Sequence, residues 1–323
     1  MNKIALIFTG GTIAMKVSSK QQGAVLGLSP DEIVDTLHTL TDFEHLVPHA
    51  FADLPSPSIT PVRMVALKQV IDSYLKDSEF AGAVIIHGTD TLEETAFFLD
   101  VVSTSPKPVV LTGAMKNASE IGYDGMTNLI SSIRVVMESH SHGKGVLVVM
   151  NYAINAACEV MKTHTLNLDT FKSLDFGPLG IIDDEDVIYF RNQTQRKDYR
   201  LRPAISPDVF LIKCYAGLDG RLIDFLVDTG AKGLVLEALG RGNVPPDMMP
   251  AITRACHQGI PVVIVSRSPG GRVLDTYGYP GGGKDLIRVG CMLGGSLSGP
   301  KARILLMLAL GNGFDREGIR HLF

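Results

Sequence analysis

Short, continuously apolar runs alternate along this chain with stretches in which apolar positions return every three or four residues. Residues 4–8, 83–86, 108–111 and 145–150 make up the first set. They are continuous, β-branched and bounded by glycine, as parallel strands covered on both faces tend to be. Between them lie amphipathic segments. Ser29-Pro30-Asp31-Glu32 offers an N-cap with proline at the first helical position, and the helical period then continues to about Leu40. Residues 61–75, 94–102 and 128–138 carry the same period. This alternation predicts βαβ units and a doubly wound, mostly parallel α/β sheet.

The pattern lapses at residues 191–200, which are polar, charged and without period. It resumes with strands at 209–213, 233–236 and 262–265, helices near 221–229 and 247–258, and a final helix at about 301–310. A chain of 323 residues is long for one core. The expected division is a larger N-terminal domain over 1–190, a linker over 191–204 and a smaller α/β C-terminal domain over 205–323.

Composition narrows the function classes. The net charge of −4 provides no global basic field to draw nucleic acid. Cys158, Cys214, Cys256 and Cys291 form no CxxC pair and no zinc-finger spacing, so they read as buried thiols of a reducing compartment. The apolar run at 4–8 is too short for a signal h-region and leads directly into a glycine turn. No stretch of about 18 uninterrupted apolar residues occurs. A cytoplasmic protein with no membrane partner and no nucleic-acid partner is the expectation.

Two loops carry the chemistry. Thr9-Gly10-Gly11-Thr12-Ile13-Ala14 follows the first strand, and His87-Gly88-Thr89-Asp90-Thr91-Leu92-Glu93-Glu94-Thr95 follows the strand at 83–86. Ligands of open α/β sheets bind at the carboxyl ends of the strands. Glycines there permit close backbone approach. A threonine hydroxyl becomes a nucleophile once a base takes its proton. A single Thr-Gly turn is by itself an N-cap or a turn former; two at equivalent strand ends suggest hydroxyl chemistry on a small molecule.

These residues resemble the bacterial-type L-asparaginase/glutaminase family over nearly the whole chain. The two loops match its two signatures. Lys107 to Met115, Asp124-Gly125, Val148 to Asn151, Lys162-Thr163 and Thr170 to Ser173 match the stretches that follow, as do Pro178-Leu179-Gly180 and Lys301-Ala302-Arg303. The resemblance implies hydrolysis of L-asparagine through an acyl-enzyme on Thr12. Thr89 and Lys162 would form a proton relay, and Asp90 would bind the substrate's α-amino group. Gly11 and Ser56 would contact the substrate, with Ser56 at the α-carboxylate, and Ala114 and Thr89 would line the amide pocket. It also implies a homodimer or homotetramer in which a neighbour supplies Asn243, and neither a metal nor an organic cofactor.

The family commonly places a tyrosine on a lid soon after the first motif. Here residues 16–27 could form a lid, but no tyrosine occurs between Ala14 and Ala50. Pro57 stands where glutamine or aspartate is usual, and the partner-subunit glutamate of many members has no clear equivalent. Tyr277 and Tyr279, in a glycine-rich stretch, are the accessory phenols this chain offers instead. Two other readings follow: a non-catalytic amino-acid-binding protein on the same scaffold, and an amidase for another amide such as glutamine. Remaining motifs add little. Gly278 to Asp285 falls short of a P-loop because it lacks the Ser or Thr that holds magnesium. His140 and His142 read as exposed loop histidines, His87 as structural, and residues 183–186 as a solvated acidic turn.

Overall fold

The computed structural model describes residues 3–323 apart from 12, 14, 19–22, 27–28 and 194–196. The chain forms two compact units, residues 1–200 and 201–323. The first contains β1 (Lys3–Phe8), β2 (Met15–Ser18), β3 (Gly23–Leu26), α1 (Pro30–Leu40), β4 (Leu46–Ala50), α2 (Pro61–Leu75), β5 (Phe80–Ile86), α3 (Leu92–Val102), β6 (Val109–Thr112), α4 (Gly125–Met137), β7 (Val146–Met150), β8 (Ala153–Ala156), β9 (Met161–Lys162), β10 (Phe171–Lys172), β11 (Gly180–Asp183) and β12 (Asp186–Tyr189). One sheet has the order β12-β11-β8-β7-β6-β5-β1-β4. Strands β4, β1, β5, β6 and β7 run parallel, and β8, β11 and β12 extend the sheet by antiparallel pairing.

The reasons are local as well as global. Ser29 caps α1 by accepting from the Glu32 N–H, and Glu32 accepts from the Ser29 N–H in return. This reciprocal pair satisfies two donors that a helix start leaves open. Helices α1 and α4 cover one face of the sheet: Ile33, Leu37, Leu129 and Ile133 pack with Leu6, Phe8, Val84 and Ile86. The alternate strand residues Ala5, Ile7, Ala83 and Ile85 are equally buried on the other face. Burial on both faces is why these strands read as unbroken apolar runs.

The chain leaves β1 toward β4 on one side, then crosses to β5 on the other. The point where strand order reverses therefore lies between β1 and β5. Phe8 pairs with both Ala50 and Ile86, and Ile86 pairs with Thr112. The carboxyl ends of β4, β1, β5 and β6 thus lie level, and their exit loops share one edge.

In the second unit, β13 (Val209–Lys213), α5 (Arg221–Asp228), β14 (Gly233–Ala238), α6 (Met249–His257), β15 (Val262–Ser266), α7 (Gly283–Val289), β16 (Met292–Leu293), α8 (Gly299–Gly311) and α9 (Arg316–Leu322) follow in order. The sheet is parallel, in the order β13-β14-β15-β16. Ile223, Ile252 and Leu286 cover one face, and Leu306, Met307 and Ile319 the other.

Some elements differ from the sequence reading and others agree with it. The stretch offered as a lid contains the antiparallel pair β2–β3, while residues 19–22 between them lie outside the described residues. A helix, α9, follows the one expected to be last. The glycine-rich segment around 278–285 turns into α7, and no strand leads directly into it among the described residues. The polar stretch from 191 is tied to the first unit, because Arg191 pairs with Glu159 at 2.5 Å and donates to the Pro178 carbonyl. The acidic cluster is the turn between β11 and β12, where Asp184 has φ +53° and Glu185 pairs with Arg134. Among the described residues, no helix is long and apolar enough to cross a membrane.

Burial sets the expected cost of trimming the core. Leu147 is fully buried in β7, whereas Leu166 is exposed. Leu147→Ala should lower the unfolding free energy by about 2–5 kcal/mol, and Leu166→Ala by no more than about 0.5 kcal/mol. Urea denaturation of both variants checks this.

Candidate active site

The loops leaving β1 and β5 touch backbone to backbone. Gly11 has φ +93°, and a Cβ there would lie 2.5 Å from the Gly88 nitrogen. A Cβ on Gly88 would in turn lie 2.9 Å from the Ser56 Cβ. Any side chain at either position would push the loops apart. The loop after β4 is fastened to the same place. Ser56 Oγ accepts from the Asp90 N–H at 3.2 Å, and Thr91 Oγ1 donates to the Ser56 carbonyl at 2.7 Å.

Lys162 reaches this edge from β9. Its ammonium donates to Thr89 Oγ1 at 2.9 Å and pairs with Asp90 Oδ1 at 2.6 Å. Thr89 is only 7% exposed, whereas the Asp90 side chain is 66% exposed. The cluster therefore has a buried hydroxyl at its base and a carboxylate at its mouth. An ammonium can only donate, so Thr89 Oγ1 accepts from it and keeps its own hydrogen for another partner. A hydroxyl in that position can pass a proton. Ser56 Oγ, which accepts from the Asp90 N–H, likewise keeps a hydrogen to donate.

Supporting residues surround this cluster. Glu93 Oε2 accepts from the Lys162 backbone N–H at 2.5 Å. Asp124 accepts from the N–H groups of Met115 and Lys116 and from the Asn128 side chain. Asn128 also donates to the Gly113 carbonyl at 3.0 Å, which fixes the loop after β6. Ala114, in that loop, is buried. The Tyr123 hydroxyl donates to the Ile13 carbonyl at 2.8 Å. Burial, reinforced by the Asp124 charge, raises the pKa of this phenol, so it remains a donor. Sequence reasoning did not single out Tyr123, Asn128 or Glu93, because each acts through a contact distant along the chain.

Thr12 lies outside the described residues. Asn243, Tyr277 and Tyr279 belong to the second unit. Asn243 follows Gly242, which has φ +108°, and pairs with Leu239 in an isolated bridge. Its Oδ1 is buried without a hydrogen-bond partner. Tyr277 and Tyr279 are about half exposed, with ring centroids 5.5 Å apart.

Residues 3–195 match the family model described as asparaginase, N-terminal, and residues 208–323 match the glutaminase/asparaginase C-terminal domain. A protein of Bacillus licheniformis named L-asparaginase is 38% identical over 321 residues, covering 99% of this chain and 98% of its own. A probable L-asparaginase of Deinococcus radiodurans is 37% identical over 327 residues, covering 99% and 97%. The crystal structure of a probable cytoplasmic L-asparaginase from Campylobacter jejuni superposes with a TM-score of 0.89 at 30% identity, covering 99% of this chain and 98% of that one.

His87 yields a pH prediction. It is fully buried, with Nδ1 2.7 Å from the Gly88 carbonyl and Nε2 3.0 Å from Thr95 Oγ1. A carbonyl only accepts, so Nδ1 carries the proton and Nε2 accepts from the threonine. Burial lowers the imidazole pKa from 6.5 to about 4. Between those values the unfolded chain binds the extra proton. This contribution to stability is complete above about pH 6.5 and is lost as pH falls through about 4, by on the order of 3 kcal/mol. Thermal melts from pH 7.5 to 3.5 should show the loss, and His87→Asn should flatten that part of the profile.

Proposed function

The chain belongs to the asparaginase family, and we propose that it hydrolyses L-asparagine to L-aspartate and ammonia through an ester on Thr12. The observation that carries this reading is the Lys162 ammonium, bonded at once to the Thr89 hydroxyl and the Asp90 carboxylate at the carboxyl edge of the sheet. The assignment of Thr12 as nucleophile rests on its place in the first motif. Its oxygen attacks the side-chain amide carbonyl, and the carbon–nitrogen bond breaks as the nitrogen gains a proton and leaves as ammonia. Water then adds to the ester, and the bond to the threonine oxygen breaks. The Thr89–Lys162 pair serves as the proton relay for these transfers.

The substrate's two charged ends call for the groups that flank the relay. The exposed Asp90 carboxylate receives the α-ammonium, and the Ser56 hydroxyl donates to the α-carboxylate. Ala114 and Thr89 line the amide pocket. The reading calls on no metal and no organic cofactor. It places the protein in the cytoplasm, the compartment named for the Campylobacter jejuni protein. It also includes a homodimer or homotetramer, with Asn243 supplied by a neighbouring subunit; the unpartnered Asn243 Oδ1 supports a role in binding.

Lys162→Met should lower kcat for asparagine by about 10²–10⁴-fold with the fold retained, since it removes the proton carrier. Asp90→Asn should raise KM and also lower kcat, by about a hundredfold, through misplacement of the substrate. Ammonia release over a panel of amides that includes asparagine and glutamine measures both. Activity of Lys162→Met above a tenth of wild type would sink the relay. Subunit mixing tests the assembly: inactive Thr12→Ala and inactive Asn243→Ala proteins should recover activity in mixed oligomers. No recovery in oligomers verified as mixed would show that each subunit holds its own complete site.

A further inference from the structure

Lys162 sits on a strand too short to place it unaided. Strand β9 has two residues, and its pairing with β10 aligns Lys162 with Phe171 and Met161 with Lys172. The Thr163 N–H donates to the Thr170 carbonyl at 2.8 Å. Hydrogen-bonded and non-hydrogen-bonded pairs alternate in an antiparallel ladder. Thr163 and Thr170 form a bonded pair, so Lys162 and Phe171 form the unbonded one. The Lys162 N–H therefore points away from β10 and needs a partner from elsewhere.

Glu93 is that partner. Its Oε2 accepts from the Lys162 N–H at 2.5 Å, a charge-assisted bond across 69 positions of sequence. Glu93 lies in the first turn of α3, where the positive end of the helix dipole favours a carboxylate. It also follows directly on the loop that bears Thr89 and Asp90. One short segment thus presents the two groups that the lysine ammonium meets and grips the backbone of that same lysine.

We propose that Glu93 is a positioning residue: it holds the β9 backbone against the start of α3 and so sets where the Lys162 ammonium stands relative to Thr89 and Asp90. This rests on the amidohydrolase reading above. The bond Glu93 makes here is to the backbone N–H of Lys162, so it acts through that lysine. Its effect falls on kcat, because a relay displaced by about 1 Å can lose on the order of a hundredfold in rate while the groups that bind the substrate's charged ends stay in place.

The test compares wild type with Glu93→Ala and Glu93→Gln. Glu93→Ala should lower kcat for asparagine by about 10- to 100-fold with KM changed by less than about threefold. Glu93→Gln still offers an acceptor oxygen at the same reach and should return most of the lost kcat. Selective ¹⁵N-lysine labelling reads the tether without turnover: the Lys162 amide signal should shift and lose exchange protection in Glu93→Ala alone. A Glu93→Ala kcat within about twofold of wild type, a loss confined to KM, or a Glu93→Gln variant as impaired as Glu93→Ala would each overturn the proposal. So would a Lys162 amide unchanged in Glu93→Ala. Failure of wild type to release ammonia would instead sink the functional reading, and the amide signal would still decide the tether.

Discussion

The contact on which the rest depends is the backbone approach of Gly11 to Gly88. Strands β1 and β5 are adjacent and parallel, and the order of the sheet reverses between them. Their exit loops must therefore leave the same edge at the same level. They can do so without colliding because Gly11 carries no Cβ, and the bare Gly88 leaves the room that Ser56 occupies. Ser56 then ties in the loop after β4, and Asn128 fixes the loop after β6 through the Gly113 carbonyl. The site is the place where four strand ends meet, and each of those loops is held there by hydrogen bonds or close packing.

Lys162 reaches that edge from outside the sheet. After β8 the chain leaves for the small β9–β10 pair and returns as β11. The ammonium's ion pair with Asp90 adds little to stability. Asp90 is 66% exposed, and pairs open to water contribute about 0–1 kcal/mol. Its value is geometric, since it holds a cation 2.9 Å from a buried hydroxyl. Stability comes from the apolar faces beneath, where strands and helices are buried together.

The elements that the sequence left unread share a physical cause. The β7–β8 hairpin turns at Asn151 and Tyr152, with φ +49° and +62°, and has no glycine to announce it. Strands β9, β10 and β16 have two residues each, too few to show a period. Helix α7 starts within a run of glycines, which reads locally as a loop. Strand β4 contains Pro48 and His49 and is only partly buried, as befits the edge of a sheet. In each case a neighbouring element imposes the conformation that local preference leaves undecided.

Taken alone, the sequence determined the layered α/β class, the buried parallel strands and most of the long helices. Their apolar periods are set by burial on one stripe or on both faces, and so they are local signals. It also determined which residue types stand at the exits of β1 and β5, and the resemblance singled out Lys162. Tertiary structure alone decided that Lys162 also pairs with Asp90, that Glu93 holds its backbone, and that Tyr123 and Asn128 brace the loops. These are contacts between residues far apart in the chain. No periodicity encodes them, because they exist only once parallel strand ends have been brought to one edge.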